Sequence, residues 1–329
     1  MRQKAKLAIV VIFLVSFSFS VGCNNKPLIN AAAEVRASSV DSYSWSQQKV
    51  FENFVAGPGQ IECLDDQHVW LACLDRSDYS RGAILFFDGN SWQRQFIARM
   101  SIGKICAASD NAVWALASDE LTAEDIILYF NGLTWSEQYR TSSVLDDICC
   151  ADNAHAWAAG NEILSYDGKS WSRQSTSATG FVGITAADPH RVWACTKDAC
   201  WFFDGDSWRE QLRPGSLIKD ISSVKSGEAW MLCCTQEEPT ANKNAQYQFL
   251  FFKNGRWRVQ QEITGNLDHL EATDRNHAWA WNYIESHGEV NCYYYDGINW
   301  ARFKPGDLYN VNCISASGPD TTWFTGGYG

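Results

Sequence analysis

Short apolar runs separated by turn residues recur along the chain from about residue 60 to its end. The first group of four consists of IECL, HVWLACL, AILFFDG and SWQRQF, and its runs are rich in Val, Ile, Phe and Trp. Runs of this length and composition, bounded by Gly, Asp, Asn and Ser, are typical of β-strands. Beyond the N-terminal segment no run combines a helical period with capping residues, so the pattern predicts an all-β fold.

The group of four runs is repeated. The phrase LFFDGNSWQRQ (85–95) returns as YFNGLTWSEQ, SYDGKSWSRQ, FFDGDSWREQ, FFKNGRWRVQ and YYYDGINWARF. Its Asp-Gly or Asn-Gly pair suits a tight hairpin whose central residues take positive φ. One series of tryptophans follows this turn. A second series lies in a phrase similar to Val-Trp-Ala, abbreviated vWA, and consists of Trp70, Trp114, Trp157, Trp193, Trp230, Trp279 and Trp323. The second series is spaced by 44, 43, 36, 37, 49 and 44 residues, which random placement would not produce.

Four-stranded units of about 43 residues, repeated seven times, predict a seven-bladed β-propeller with four-stranded antiparallel blades. The blades are expected near 60–96, 104–139, 147–174, 183–211, 220–260, 269–303 and 312–329. The last unit lacks its outer strands, and an orphan strand with Trp45 precedes the first unit. We therefore expect residues 36–48 to complete the seventh blade, with Val35–Ser39 as its third strand. Pairing of N- and C-terminal strands would then close the ring over residues 36–329.

The N-terminus has the features of an export signal. A positively charged start and the apolar run 7–15 resemble a secretory signal peptide over residues 1–22. Cys23 follows a small residue, as in the bacterial lipobox, although Ser20 stands where Leu is usual. That resemblance implies that Cys23 carries lipid, that residues 23–35 are a tether, and that the protein is exported and anchored in the cell envelope. The alternatives are a secreted protein and an uncleaved N-terminal anchor.

Charge narrows the class of partner. The net charge is -11, and removal of the three basic residues of the predicted signal peptide leaves 24 Lys and Arg against 38 Asp and Glu, hence -14. An acidic surface disfavours nucleic acid and anionic membrane surfaces as partners. The lipid on Cys23 would supply the membrane attachment instead. A protein or a glycan at the cell envelope is the expected partner, and no cofactor is expected.

The vWA phrase and the Asp-Gly-x-x-Trp hairpin carry a family resemblance. Over residues 36–329 the chain resembles secreted bacterial propellers, a set that includes two-component-regulator and photosystem-assembly-factor-like propellers. The resemblance implies the propeller fold and says little about function, because propellers host many unrelated activities.

Function on a propeller is expected in the variable loops of one face. The connections between second and third strands vary most here, and those that lead to the next blade open on the same face; we call this side the long-loop face. Its acidic and aromatic residues are the candidate binding residues: Asp75, Asp78, Tyr79, Glu120, Glu124, Asp125, Glu237, Glu238, Tyr283, Glu285 and Tyr309. An acidic, aromatic rim suits a basic protein surface, a cation or a glycan, and the alternative is a solvated loop face without a ligand.

These features favour a non-enzymatic binding or assembly scaffold. The alternative is a carbohydrate-active enzyme, a glycosidase or lyase with its site at the channel mouth. The segment Ser165–Trp171 comes close to the Asp-box of sialidase propellers, but its Asp and Gly are one residue too close, and that box is structural in the family. Quinoprotein dehydrogenases are propellers with a vicinal cysteine pair, and Cys149 and Cys150 are adjacent here, but the repeat lacks the spacing of that family.

Eleven cysteines follow Cys23, and an exported protein invites disulfides. Cys195 and Cys200 could bridge a hairpin, and Cys63 and Cys73 lie on neighbouring predicted strands. The cysteines of the innermost strands are interpreted as small buried residues. No metal site is expected, because there is no C-x-x-C pair and four of the six histidines recur in equivalent turns.

Overall fold

The computed structural model describes residues 8–13, 34–35, 43–49, 54–55, 60–235, 245–282, 291–303, 311–318 and 321–326. Every regular element in these ranges is a β-strand, which confirms the predicted all-β class. Within them, no helix has the length and apolarity needed to cross a membrane.

Seven sheets build the fold, and each sheet is one blade. The N-terminal strands are β1 (Ala8–Phe13), β2 (Glu34–Val35) and β3 (Tyr43–Lys49). Blade 1 contains β4 (Phe54–Val55), β5 (Ile61–Cys63), β6 (Val69–Asp75), β7 (Asp78–Phe87) and β8 (Trp92–Ala98). Blade 2 contains β9 (Ser101–Ser109), β10 (Ala112–Asp119), β11 (Glu124–Phe130) and β12 (Trp135–Thr141). Blade 3 contains β13 (Leu145–Asp152), β14 (His155–Gly160), β15 (Ile163–Tyr166) and β16 (Trp171–Arg173).

The remaining blades repeat this order. Blade 4 contains β17 (Phe181–Asp188), β18 (Arg191–Thr196), β19 (Cys200–Phe203) and β20 (Trp208–Leu212). Blade 5 contains β21 (Leu217–Ser223), β22 (Ala229–Cys234), β23 (Ala245–Lys253) and β24 (Arg256–Gly265). Blade 6 contains β25 (His269–Asp274), β26 (His277–Trp281), β27 (Cys292–Tyr295) and β28 (Trp300–Phe303). The chain ends with β29 (Cys313–Gly318) and β30 (Thr321–Gly326) of blade 7.

The blades stand in a closed ring. The first strand of each blade is innermost, and in blade 1 this position is shared by the short strands β4 and β5, which both pair with β6. The next strands follow outward with antiparallel pairing in blades 1 to 6. The innermost strands β5, β9, β13, β17, β21, β25 and β29 contact one another in this order, and β29 also contacts β5. This arrangement confirms the seven-bladed propeller.

The seventh blade uses both ends of the chain, as predicted, but a different strand lies in its third position. β30 pairs in parallel with Ala8–Phe13, which pairs in parallel with β3, the strand that contains Trp45. β2 lies on the other edge of β3. The prediction that Val35–Ser39 lies beside the C-terminal strand is therefore wrong, because the β-branched run Ala8–Phe13 takes that place. This run belongs to the predicted signal peptide, whose removal stays a prediction.

The repeated Asp-Gly pairs form the predicted hairpin turns between third and fourth strands. Gly89 has a φ of +87°, a conformation that favours glycine. The Oδ1 atom of Asp88 accepts hydrogen bonds from the backbone N–H of Asn90 at 2.9 Å and of Ser91 at 2.8 Å. The repeated phrase is thus part of the architecture at its turn.

The vWA tryptophans fill the space between neighbouring blades. Trp230 of blade 5 is fully buried, and its ring centroid lies 4.7 Å from that of Tyr295 and 5.5 Å from that of Trp300, both of blade 6. Across the closure of the ring, the ring centroid of Trp323 in blade 7 lies 6.0 Å from that of Trp92 in blade 1. The hydrophobic core is therefore divided among the blade interfaces, as the spacing of the tryptophans predicts.

Two glutamines on outer strands connect tryptophans of neighbouring blades. The Oε1 atom of Gln211 accepts hydrogen bonds from the indole N–H of Trp193 in its own blade (3.1 Å) and of Trp257 in blade 5 (2.8 Å). Gln95 joins Trp70 and Trp135 of blades 1 and 2 in the same way, at 3.2 and 3.3 Å.

Candidate functional site in the channel and on the long-loop face

The innermost strands line a central cavity of about 510 Å³. Each strand has one buried Ile or Leu in an equivalent position: Ile61, Ile105, Ile148, Ile184, Ile221, Leu270 and Ile314. The residues directly before and after this apolar residue are mostly polar and line the cavity. We call them the preceding and the following positions.

Side chains at the preceding position bond to the backbone of the next blade. The Oε1 atom of Gln60 accepts the N–H of Ile105 at 3.3 Å, and the Oδ2 atom of Asp147 accepts the N–H of Ile184 at 2.9 Å. The Oδ2 atom of Asp220 accepts the N–H of Leu270 at 2.8 Å. Each bond ties one innermost strand to the following one around the ring.

Side chains at the following position make a second set of such bonds, one layer deeper. In each of these bonds a side-chain oxygen accepts a backbone N–H: Glu62 from Ala107 at 3.2 Å, Thr185 from Ser223 at 2.9 Å, Ser222 from Ala272 at 3.0 Å, and Ser315 from Cys63 at 3.0 Å. The last of these crosses the closure of the ring from blade 7 to blade 1. Polar channel residues therefore satisfy backbone N–H groups that no strand of their own sheet accepts.

Lys104 and Lys225 both line the cavity beside the channel acids. The Nζ atom of Lys104 lies 3.7 Å from Asp147, and this negative charge raises the pKa of Lys104. Burial and the charge of Lys104 lower the pKa of His269 to about 4, so this imidazole is neutral at pH 7. Its Nδ1 atom lies 4.0 Å from Asp220.

Three channel carboxyls have raised pKa values. Burial raises the pKa of Glu62 and of Asp220 to about 7. Burial and the charge of Glu62 raise the pKa of Glu271 well above its usual range. The channel can therefore present protonated and ionised carboxyls side by side. Among the described residues, no group of three or more His, Cys, Asp or Glu is arranged to hold a metal ion.

On the long-loop face of blade 1, the predicted residues divide into two kinds. Asp75 is buried, accepts the N–H and O–H of Ser77 at 2.9 and 2.6 Å, and lies 3.8 Å from Arg81. These hydrogen bonds lower the pKa of Asp75. Asp78 and Tyr79 are exposed at the tip of the hairpin, where Asp78 accepts the N–H and O–H of Ser80 at 3.1 and 2.6 Å and 63% of Tyr79 is accessible. Asp75 thus stabilises the turn, whereas Asp78 and Tyr79 are exposed to solvent.

Blade 2 shows the same division. Glu124 lies 3.1 Å from the guanidinium of Arg140, and Asp125 accepts the N–H of Leu145 in blade 3 at 2.7 Å. Glu120 and Leu121 are exposed at the tip of the turn, and 79% of Leu121 is accessible. The structure therefore leaves an exposed acid beside an exposed apolar side chain at the tips of both blades.

The other predicted residues of this face lie outside the described residues: Glu237, Glu238, Tyr283, Glu285 and Tyr309. The lipidation candidate Cys23 also lies outside them. Their assignment as binding and lipidation residues stays a prediction.

The two predicted cysteine pairs differ in register. Cys195 is the cross-strand partner of Cys200. Cys63 lies opposite Val69 of β6, whereas Cys73 lies opposite Ala83 of β7, so the register does not place Cys63 and Cys73 opposite each other. All four thiols are free and buried. Cys106 and Cys150, on the innermost strands of adjacent blades, lie in one apolar cluster, and burial and contact with Cys150 raise the pKa of Cys106.

The channel residues are the part of the site that the sequence analysis missed. In the sequence, the channel residues are recognisable as the two polar residues on either side of the repeated Ile, as in Gln60 and Glu62 or Asp220 and Ser222. The residue type at these positions changes from blade to blade, so no motif is visible, and only the ring geometry brings them together.

Comparison with known proteins supports the fold. No family model matches the sequence, and a search of curated proteins finds no relative. The structure is similar to the Neurospora crassa Pan2 WD40 domain, with a TM-score of 0.52 and 13% identity over 79% of this chain and 83% of that one. It is also similar to the GH74 xyloglucanase from Xanthomonas campestris, with a TM-score of 0.57 and 14% identity over 84% of this chain and 52% of that one. A chain of the mitotic checkpoint complex matches with a TM-score of 0.52 and 9% identity, over 76% of this chain and 82% of that one. At these identities the likeness concerns the fold alone.

Proposed function

We propose that the protein is an exported, lipid-anchored binding scaffold that holds a partner protein on its long-loop face. The observation that carries the proposal is the exposed acid beside an exposed apolar side chain at two neighbouring blade tips, Asp78 with Tyr79 and Glu120 with Leu121. Exposed apolar groups rimmed by charge are typical of interaction surfaces. The predicted export signal and Cys23 support attachment to the envelope, which would present this face to envelope proteins. Lipidation of Cys23 would remove residues 1–22 and with them strand β1, so the closing blade of the anchored form would lack this strand.

The chemistry of the tips defines the partner. A complementary partner surface has Lys or Arg opposite Asp78 and Glu120, and apolar side chains opposite Tyr79 and Leu121. Aromatic anchors contribute strongly to binding where they become buried, whereas exposed charges mainly steer the encounter. The partner is therefore expected to be a basic protein segment with apolar residues. WD40 propellers are among the structural neighbours, and scaffolding on a rigid ring is compatible with that fold.

Matched variants of the two faces test this proposal. Replacement of Tyr79 and Leu121 by Ser is expected to weaken the binding of envelope partners at least tenfold. The control replaces Leu133 and Ile298, two exposed residues of the opposite face, by Ser. A photo-crosslinker at position 121 should capture the partner in cells, and one at position 298 should not. Equal capture from both positions would contradict the assignment of the face.

Charge reversal provides a second test on the same face. Lys in place of Glu237 and Glu238 should weaken partner binding without a change in stability. The same change at Asp167 should lower stability instead, because its Oδ1 atom accepts the backbone N–H of Lys169 and Ser170 in a turn of the opposite face. Unchanged binding after the first reversal would exclude that loop from the interface.

A carbohydrate-active enzyme is the second candidate, and one observation favours it. Glycosidases use two carboxyls, one of which holds a proton, and the channel contains Glu271, whose pKa burial raises well above its usual range, in a cavity that Asp147 also lines. Incubation with a panel of polysaccharides, followed by measurement of new reducing ends, tests this function. Activity that is lost in Glu271→Gln would establish the enzyme, and its absence from the wild type on all polysaccharides would favour the scaffold.

A further inference from the structure

Two thiols face each other across the hairpin that joins the second and third strands of blade 4. Cys195 on β18 is the cross-strand partner of Cys200 on β19, and both are fully buried. The pair next to them is hydrogen-bonded, because the N–H of Thr196 donates to the carbonyl of Ala199 at 2.9 Å. Hydrogen-bonded and non-hydrogen-bonded pairs alternate along an antiparallel ladder, so Cys195 and Cys200 form a non-hydrogen-bonded pair.

The geometry of this pair suits a covalent bond. The Cα atoms of a non-hydrogen-bonded pair are about 4.5 Å apart, within the range of about 4.4–6.8 Å that disulfides require. We propose that Cys195 and Cys200 form a disulfide that closes the hairpin when the chain folds in an oxidising compartment. The pairing rests on the register, and only the place where it forms rests on the export proposed above.

The reaction is an exchange with an external disulfide, such as oxidised glutathione. One cysteine thiolate attacks a sulfur of the external disulfide, which yields a mixed disulfide and releases one thiolate. The second cysteine thiolate then attacks the mixed disulfide, forms the bond between Cys195 and Cys200, and releases the second thiolate. The protein loses two electrons and two protons, and the external disulfide takes up both and leaves as two thiols.

Burial decides when this exchange can occur. Burial and the contact with the Cys200 thiol raise the pKa of Cys195 well above its usual range, so little thiolate exists in the finished ring. Both side chains belong to the apolar cluster between blades 4 and 5, beyond the reach of an external disulfide. We therefore expect oxidation during folding and not in the native, reduced ring. Cys233 of blade 5 lies in the same cluster and is the competing partner.

Peptide mapping tests the pairing. The full-length chain is refolded from denaturant with reduced and oxidised glutathione, alkylated under denaturing conditions and digested with trypsin. Cleavage after Lys197 separates the two cysteines, so a disulfide would join two peptides. We expect the joined peptides in most of the refolded molecules, and alkylated Cys195 and Cys200 when folded, reduced protein meets the same mixture. Two alkylated cysteines after oxidative refolding, or a bond between Cys200 and Cys233, would overturn the proposal.

Reduction provides a readout in stability. Dithiothreitol, which reaches the buried bond as the ring opens on heating, should lower the melting temperature of the oxidised wild type by roughly 3–6 °C. It should have the same effect on Cys63→Ser, because Cys63 has no cysteine opposite it. A double variant with Ser at positions 195 and 200 should not respond, and an equal response there would refute the disulfide. Reduced cysteines in protein isolated from cells, together with joined peptides after refolding, would contradict export while the pairing stands.

Discussion

The glutamine that joins tryptophans of two blades allows a sharp test of how the ring is held together. Gln211 accepts the indole N–H of Trp193 and of Trp257 with one oxygen, at 3.1 and 2.8 Å. Replacement by Leu removes this oxygen and leaves two indole donors at the interface of blades 4 and 5 without their acceptor. The variant therefore probes a polar contact between blades with little change in side-chain volume.

The expected loss follows from the two bonds. A buried donor without an acceptor costs about 1–3 kcal/mol, which gives about 2–6 kcal/mol for two. The lower end applies, because other indole N–H groups of the described ring, such as that of Trp230, are buried without a partner and the ring still forms. The apolar contacts of the new Leu offset part of the loss. We expect the free energy of unfolding to fall by about 2 kcal/mol, and the melting temperature by about 4 °C or more.

Urea unfolding of two matched variants measures this effect. Gln138 occupies the same position of the repeated phrase in blade 2, but it is exposed and its amide donates only to Ser136 of its own strand. Gln138→Leu should change the free energy of unfolding by less than about 0.5 kcal/mol. Gln211→Glu keeps an acceptor oxygen and should restore part of the loss. Equal unfolding midpoints for Gln211→Leu and Gln138→Leu, at equal m-values, would refute the reasoning.

Three further perturbations concern the channel, the anchor and the closure of the ring. Because the pKa of Asp220 is raised to about 7, its contribution to stability is complete below about pH 4 and is lost as the pH rises through 7. Relative to Asp220→Asn, the free energy of unfolding of the wild type should fall by about 4 kcal/mol between pH 4 and pH 8, and parallel curves for the two proteins would exclude this carboxyl as the source. A fatty-acid analogue fed to cells should label the wild type but not Cys23→Ala, and equal labelling would show that Cys23 carries no lipid. Deletion of residues 36–48 should lower the melting temperature and cause aggregation, because it removes most of strand β3 from the closing blade. Deletion of residues 24–33 should do neither. An unchanged melting curve after deletion of 36–48 would exclude a stabilising role for strand β3.

The blades could be predicted from the sequence because their signals are local. An Asp-Gly turn such as that at Asp88 determines its own hairpin, and a run such as Val69–Asp75 has the composition of a buried strand wherever it lies. The repeat then supplies the number of blades. The third strand of the closing blade could not be predicted in this way, because Ala8–Phe13 has the composition of a leader as well as of a strand, and only its pairing with β30 distinguishes the two roles.

The candidate site was predicted less completely. Exposure at the tips followed from the loop positions of Tyr79 and Glu120, but the buried and bonded state of Asp75 did not, because its partner Ser77 is recognisable only in the folded turn. Five of the six repeated phrases contain the glutamine three residues after the tryptophan, yet its role differs among them. Gln211 bridges two tryptophans, whereas Gln174 donates to Ser165 of its own blade.

The channel acids have a structural cause that bears on function. The innermost strand of each blade is an edge strand, so its inward N–H groups lack a partner in their own sheet. Asp147, Asp220 and Glu62 accept three of these groups, and Thr185 and Ser315 accept two more with uncharged oxygens. Acids and hydroxyls therefore serve the same purpose at equivalent positions, which is expected of parts that hold a ring together. The exposed acid Asp78 at a blade tip instead accepts the N–H and O–H of Ser80 in its own hairpin and joins no second blade, and this difference supports recognition on the long-loop face in our proposal.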